Sequence, residues 1–196
     1  LVNIMQSDSA SDVPTKIAVV PFAEYVNVGI SSLGQSWIDA STLRGQPFMG
    51  CVGSRKSPQD KKIEAFGIGY PAVANEPCNI ELLPLTTDMN AVRARINSMV
   101  SRGATYIPTG LLWGWNVLDA SAPFTEGRTK AALKEMNGRK VLVLMTDGEN
   151  TISPSYPTHD GRDTATSNST LTDICTNVKK DEIEVYTVSF MVPSVT

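Results

Sequence analysis

Residues 140–151, KVLVLMTDGENT, decide the fold predicted from this sequence. Residues 141–145 are all apolar, which predicts a strand buried on both faces, as in parallel sheets covered by helices. Asp147 follows directly and is expected at the carboxyl end of that strand, the edge where open α/β sheets bind ligands. The alternative is an ordinary turn, because Asp bonds its own backbone and Gly148 tolerates positive φ.

A second polar loop, residues 103–108 with the sequence GATYIP, lies between two helical patterns. It carries the hydroxyl of Thr105, which we expect to converge with the carboxylate of Asp147 on one cation. A helix cap is the alternative for Thr105, because Pro108 favours the first turn of a helix.

The chain has 196 residues, of which 41% are hydrophobic, enough for one α/β domain. Its formal charge is -3 and its basic residues are scattered, so nucleic acid and anionic membrane surfaces are not predicted partners. The sequence contains neither an apolar run long enough to span a bilayer nor a signal-peptide pattern. Because residues 1–5 resemble the tail of a helix entered midway, we expect an excised or truncated segment.

Strand and helix patterns alternate along the chain, which predicts a doubly wound, mostly parallel sheet. Residues 31–85 are rich in Gly, Pro and Ser and too long for a plain loop, so they are expected to form an insertion packed on the main domain. Asp88 is the expected cap of the first helix. The predicted strands cover residues 16–22, 25–30, 140–146 and 184–191, and the predicted helices cover 89–102, a stretch from 108 to about 118, and 171–178.

The three cysteines indicate the compartment. Cys51 and Cys78 bracket much of the predicted insertion, and a disulfide between them would stabilise by about 3 to 4 kcal/mol and imply an oxidising environment. The alternative is a pair of free thiols in a cytosolic protein. Cys175 lies on the apolar face of its helix and is expected to be unpaired within this chain.

Several motifs together resemble the von Willebrand factor A-type domain of TadG-type Tad (Flp) pilus-assembly proteins. They are GATYIPTGLLWGW, PFTEG and VLMTDGENT, supported by VVPFAEYVNVG, FMGC and LLPLT, so the similarity covers nearly the whole chain. The resemblance implies a Rossmann-like fold in which residues 1–196 are a partial domain, truncated at both ends. It also implies a bacterial envelope protein, anchored in the membrane upstream, with this domain outside the cytoplasm.

The A-type domain implies a divalent-cation site, with ligands from an Asp-x-Ser-x-Ser loop, a Thr and a later Asp. Thr105 and Asp147 match the last two, whereas residues 8–12 match the first only superficially, with the wrong spacing. Mg²⁺, Ca²⁺ or Mn²⁺ would suit such oxygen ligands, and a carboxylate of a pilus-assembly or surface protein would fill the open position. Because two ligands do not satisfy such an ion, we expect this fragment to bind metal weakly or not at all.

Enzymatic function is not predicted, because nucleophile-elbow, phosphate-loop and Cys-x-x-Cys motifs are missing from the sequence. The only histidine, His159, lies in a polar loop and is expected to be solvated. The alternatives are a phosphoryl-transfer enzyme with Asp147 as acceptor, although residues 144–146 supply no further acid, and a structural A-type domain without metal. Asp160 and Asp163 are either an accessory cation site or part of a solvated loop.

The resemblance also predicts a defect in the sheet. The first strand of the A-type fold lies between the strands predicted at residues 16–22 and 140–146, and this sequence begins after it. We therefore expect either a gap in the sheet or direct pairing of those two strands, and an unstable or aggregation-prone chain.

Overall fold

The computed structural model describes residues 14–63 and 67–190. Within these ranges the chain forms eight strands, four α-helices and three short 3-10 helices. The strands are β1 (Ile17–Val19), β2 (Val26–Asn27), β3 (Ile38–Asp39), β4 (Phe48–Val52), β5 (Tyr70–Ala74), β6 (Leu83–Thr86), β7 (Lys140–Thr146) and β8 (Ile183–Ser189). The α-helices are α1 (Met89–Asn97), α2 (Ile107–Leu118), α3 (Lys130–Glu135) and α4 (Thr164–Lys180), and the 3-10 helices are Ile30–Ser32, Ala40–Leu43 and Gln59–Lys61.

The predicted doubly wound, mostly parallel sheet is wrong. The described strands form three sheets: an antiparallel pair β1–β6, a four-stranded sheet in the order β2-β4-β5-β3, and a parallel pair β7–β8. In the four-stranded sheet β2, β4 and β5 pair antiparallel, and only β3 joins parallel to β5. The alternating pattern failed as a guide because residues 31–85, interpreted as an insertion, supply four of the eight strands.

The predicted strand at residues 140–146 is present as β7, but its burial on both faces is wrong. Leu142 and Leu144 point into the core, whereas Val141, Val143 and Met145 are exposed. The buried face packs against α2, where a Cβ added to Gly114 would lie 2.9 Å from Leu142 Cδ1. The β7–β8 pair is therefore covered on one face only by the described residues.

The three predicted helices are present, but their ends differ from the predicted ones. Asp88 caps α1 by accepting a hydrogen bond from the Asn90 amide at 2.9 Å, although the helix ends at Asn97 and not at residue 102. Helix α2 carries Pro108 in its first turn and buries Leu111. The helix expected at residues 171–178 begins earlier, because Asp163 caps the α4 backbone.

Helix α2 lies at the centre of the main hydrophobic core, since ten of its twelve residues are buried. Its glycines let other segments approach closely: a Cβ added to Gly110 would lie 2.5 Å from the ring of Phe22, so any larger residue would displace that ring. The core draws on all three sheets and on α4. These separate sheets are therefore held together mainly through one helix.

The predicted disulfide between Cys51 and Cys78 is confirmed, with the Cα atoms 5.8 Å apart. Cys175 is free, as predicted. Strands β1 and β7 belong to different sheets, so the direct pairing considered above does not occur within the described residues. Residues 1–5 and 8–12, and the end of the strand predicted to reach residue 191, lie outside the described ranges.

Candidate functional site

The loop before α2 is joined to the loop after β7. The Thr105 amide donates to the Thr151 hydroxyl at 2.8 Å, and the Thr151 amide donates to the Thr105 carbonyl at 2.9 Å. Thr151 lies four residues after Asp147. The two loops selected from the sequence therefore meet, through a residue that the sequence analysis did not assign to the site.

A buried amide side chain fixes this junction. Asn150 Oδ1 accepts a hydrogen bond from the Ile107 amide at 2.8 Å, and Asn150 Nδ2 donates to Asn168 Oδ1 at 2.8 Å. The Ile107 amide belongs to the first turn of α2 and has no partner within the helix, so Asn150 acts as a cap from a distant loop. The junction thus ties the start of α2 and the body of α4 to the loop after β7.

Asp147, four residues before Thr151, is exposed. Within the described residues its carboxylate makes neither a hydrogen bond nor an ion pair, so its oxygens are available to a ligand. The turn that carries it is shaped locally, because the Gly148 amide donates to the Thr146 hydroxyl at 3.3 Å.

A third segment reaches the Thr105 loop. Glu24 Oε1 accepts a hydrogen bond from the Ala104 amide at 3.1 Å, and the Tyr106 amide donates to the Ala23 carbonyl at 3.0 Å. Glu24 was not among the residues predicted for the site, although it lies in the motif VVPFAEYVNVG. A lone carboxylate in the short connection between two predicted strands was the available signal.

The donor set suits a hard cation but is small. Thr105 and Asp147 offer one hydroxyl and one carboxylate, whereas Ca²⁺ takes six to eight oxygens and Mg²⁺ six. Among the described residues there is no group of three or more His, Cys, Asp or Glu side chains placed to hold a metal. These two side chains would hold a cation only with water supplying most of its ligands.

His159 is buried, so its predicted solvation is wrong. Its side chain is 2% exposed and stacks on the Tyr25 ring with the centroids 4.8 Å apart. Nε2 accepts from the Ser54 amide at 2.9 Å, and Nδ1 lies 2.6 Å from the Glu24 carbonyl. Burial lowers the pKa of His159 from 6.5 to about 4, so the ring is neutral at pH 7 and carries its proton on Nδ1.

Asp160 and Asp163 serve local backbone structure. Asp163 caps α4, accepting from the Thr166 amide at 3.0 Å and from its hydroxyl at 2.6 Å. Asp160 accepts a hydrogen bond from the Ser155 hydroxyl. These bonds lower the pKa of both carboxyl groups. Neither is grouped with further acids or histidines as a metal centre in the described chain.

Comparisons with known proteins add no relative. Models of protein families, curated proteins and solved structures all fail to match this chain. Within the described ranges, no helix combines the length and apolarity needed to cross a membrane.

Proposed function

We propose that this chain is a non-catalytic, divalent-cation-dependent protein-binding module of a bacterial envelope protein, acting in Flp/Tad pilus assembly or surface attachment. Thr105 and Asp147 are the proposed cation ligands, with water and a carboxylate of the protein partner completing the shell. The family assignment rests on the motif resemblance, and the metal on the chemistry of these two side chains. A membrane anchor upstream belongs to the same proposal.

The observation that carries the proposal is the pair of hydrogen bonds between Thr105 and Thr151, one from the Thr105 amide to the Thr151 hydroxyl and one from the Thr151 amide to the Thr105 carbonyl. They hold a hydroxyl-bearing loop against the loop that presents an exposed carboxylate. Asn150 restrains the two loops further by accepting a hydrogen bond from the Ile107 amide, which reduces the conformational entropy lost when a ligand binds.

The Cys51–Cys78 disulfide supports the proposed extracytoplasmic location, because such bonds persist in oxidising compartments such as the periplasm and the cell surface. The exposed position of Asp147 supports a binding role, since a cation there would remain open to a partner's carboxylate.

Paramagnetic Mn²⁺ tests the site directly. Titration into ¹⁵N-labelled protein should broaden the amide signals of residues 104–106 and 146–151 before all others. Asp147→Asn should abolish that broadening, and Thr105→Val should weaken it while keeping the backbone bonds to Thr151. Glu135→Gln, an equal loss of charge on an exposed residue of α3, is the matched control and should change nothing.

Broadening centred elsewhere, or unchanged in Asp147→Asn, would contradict the metal site. The biological role requires a second experiment in the bacterium that makes the protein. Asp147→Asn in the full-length protein should reduce pilus number or surface attachment, whereas Glu135→Gln should not. Equal pilus formation in both strains would contradict the proposed role even if Mn²⁺ binds.

A further inference from the structure

A cleft of about 240 Å³ opens beside β5, and none of its lining residues belongs to the Thr105 and Asp147 loops. Polar and apolar atoms line it in about equal parts, Trp37 and Tyr70 supply aromatic rings, and Arg55 is the only charged residue among the described residues that line it. Ser36 and Ser121 add hydroxyl groups at the same cleft. The lining that matters for recognition is Trp37, Arg55, Ile63, Ile68, Tyr70 and Pro123.

Arg55 is held rigidly with part of its guanidinium unused. Nε donates to the Gln59 carbonyl at 3.1 Å, Nη2 donates to the Lys62 carbonyl, and Cζ lies 4.1 Å from the centre of the Tyr70 ring. A guanidinium has five N–H donors, so these two bonds leave the Nη1 edge without an acceptor among the described residues. The residue is only 4% exposed, but Nη1 is not fully enclosed, so the open edge faces the cleft and the solvent in it.

The charge of Arg55 is not neutralised by an ion pair within the described residues. The nearby acid, Asp60, is half-buried, its Oδ1 atom is enclosed without a hydrogen-bond partner, and desolvation raises the pKa of its carboxyl group. Burial without an ion-pair partner disfavours the charged guanidinium, and an anion that enters the cleft would offset part of that cost.

The aromatic wall is preformed. Tyr70 packs on Trp113 with ring centroids 4.6 Å apart, and its hydroxyl accepts a hydrogen bond from Asn116 Nδ2 at 2.9 Å. Trp37 packs on the same Trp113, with the centroids 6.0 Å apart. The rings and the guanidinium are therefore already ordered before a ligand binds, so binding loses little side-chain conformational entropy.

We propose that this cleft binds a small carboxylate that carries one apolar or aromatic group, with the free edge of the Arg55 guanidinium receiving the carboxylate. The single cation matches one negative charge better than a phosphate dianion. The volume is below the usual range for drug-sized ligands, so it admits a group of about the size of one aromatic ring. Such a group comes either from a free acid or from the carboxyl-terminal residue of a peptide.

Binding is measured by ligand-observed NMR and calorimetry with two pairs of probes. Benzoate and benzamide represent the free acid and its neutral analogue, and N-acetylphenylalanine and its amide represent a peptide terminus. At least one acid should bind about tenfold more tightly than its amide, because the amide keeps one acceptor oxygen but loses the negative charge and the second acceptor that face the guanidinium. The tighter acid identifies the source. Equal binding of acid and amide in both pairs, or no binding of either acid, would overturn the proposal.

Two variants locate the site. Arg55→Met removes the charge and should abolish the preference for acid over amide, with folding checked by its melting temperature. Because Arg55 is buried, Ile68→Glu provides a second route: Ile68 is 48% exposed at the cleft, and a negative charge there should weaken acid binding about tenfold. Ile30→Glu, the same change at a side chain that is 64% exposed and outside the cleft, should leave binding unchanged. Equal affinity in Ile68→Glu and Ile30→Glu would overturn the proposal.

Glu64 lies between two lining residues in the sequence but outside the described ranges. Glu64→Gln tests whether the chain supplies its own carboxylate. Acid binding to the unmodified protein and to Glu64→Gln with the same affinity supports an external ligand. Binding only to Glu64→Gln would show that Arg55 is already paired, which overturns the proposal.

Discussion

The four-stranded sheet and the β7–β8 pair show opposite relations between sequence pattern and burial. The four-stranded sheet arises from irregular, glycine-rich sequence, yet Val26, Val52 and Ala72 within it are fully buried. Strand β7 has the most regular apolar run in the chain, yet Met145 is 51% exposed. An apolar run therefore indicates which residues gain from burial, while the neighbouring elements decide whether that burial is available.

Truncating an aromatic side chain in each region should give the largest difference in the free energy of unfolding between the four-stranded sheet and the β7–β8 pair. Trp113→Ala removes the ring that packs on Tyr70 behind the four-stranded sheet, and should lower the free energy of unfolding by about 4 kcal/mol. Tyr186→Ala makes a similar truncation on β8, where the side chain is 55% exposed, and should cost less than about 1 kcal/mol. Urea unfolding of both variants checks the difference, and equal losses would show that the outer face of β7–β8 is also packed.

Removing the disulfide should have the next largest effect. The bridge joins residues 27 apart, so Cys51→Ala with Cys78→Ala should lower the free energy of unfolding by about 3.5 kcal/mol in the chain-entropy model. Cys175→Ala is the control for loss of sulfur at a free cysteine. Thermal unfolding with and without reductant should reproduce the difference in the unmodified protein but not in the double variant.

Lowering the pH should reduce the free energy of unfolding through His159, which packs beside the four-stranded sheet. Its pKa is about 4 in the folded protein and near 6.5 when unfolded, so between these values only the unfolded chain binds the proton. The contribution of neutral His159 to the free energy of unfolding is fully present above pH 6.5. It is lost as the pH falls toward 4, by about 3 kcal/mol in total. Urea unfolding at pH 7.0 and 4.5 measures the loss. His159→Gln should reduce this pH dependence, and an unchanged slope would exclude His159 as its cause.

The smallest effect on stability should come from the outer face of β7. Val143→Thr with Met145→Thr should change the free energy of unfolding by less than about 1 kcal/mol, because both side chains are exposed. The same double change should reduce concentration-dependent self-association in sedimentation experiments, since it breaks a contiguous apolar surface. Ile30→Thr removes an exposed apolar side chain elsewhere and should leave self-association as it is.

Local signals account for the parts of the structure that the sequence predicted. Asp88 caps one helix, Pro108 lies in the first turn of another, and both effects depend only on backbone groups a few residues away. For the candidate site the sequence predicted Thr105 and Asp147, but not the Thr151 and Asn150 bonds that join the two loops. Those bonds connect residues more than 40 positions apart, which no local pattern specifies.

The sequence by itself located β7, β8, α2 and the later part of α4, and it indicated the Cys51–Cys78 pair, because periodicity, caps and loop length act over limited stretches of chain. Only the tertiary structure decided which strand edges meet, and it replaced the expected single parallel sheet by three sheets. It also buried His159 and left Arg55 with an unused guanidinium edge in an aromatic cleft. The physical reason is that strand pairing and side-chain desolvation are set by neighbours distant in sequence, whose identity becomes fixed only when the chain is packed.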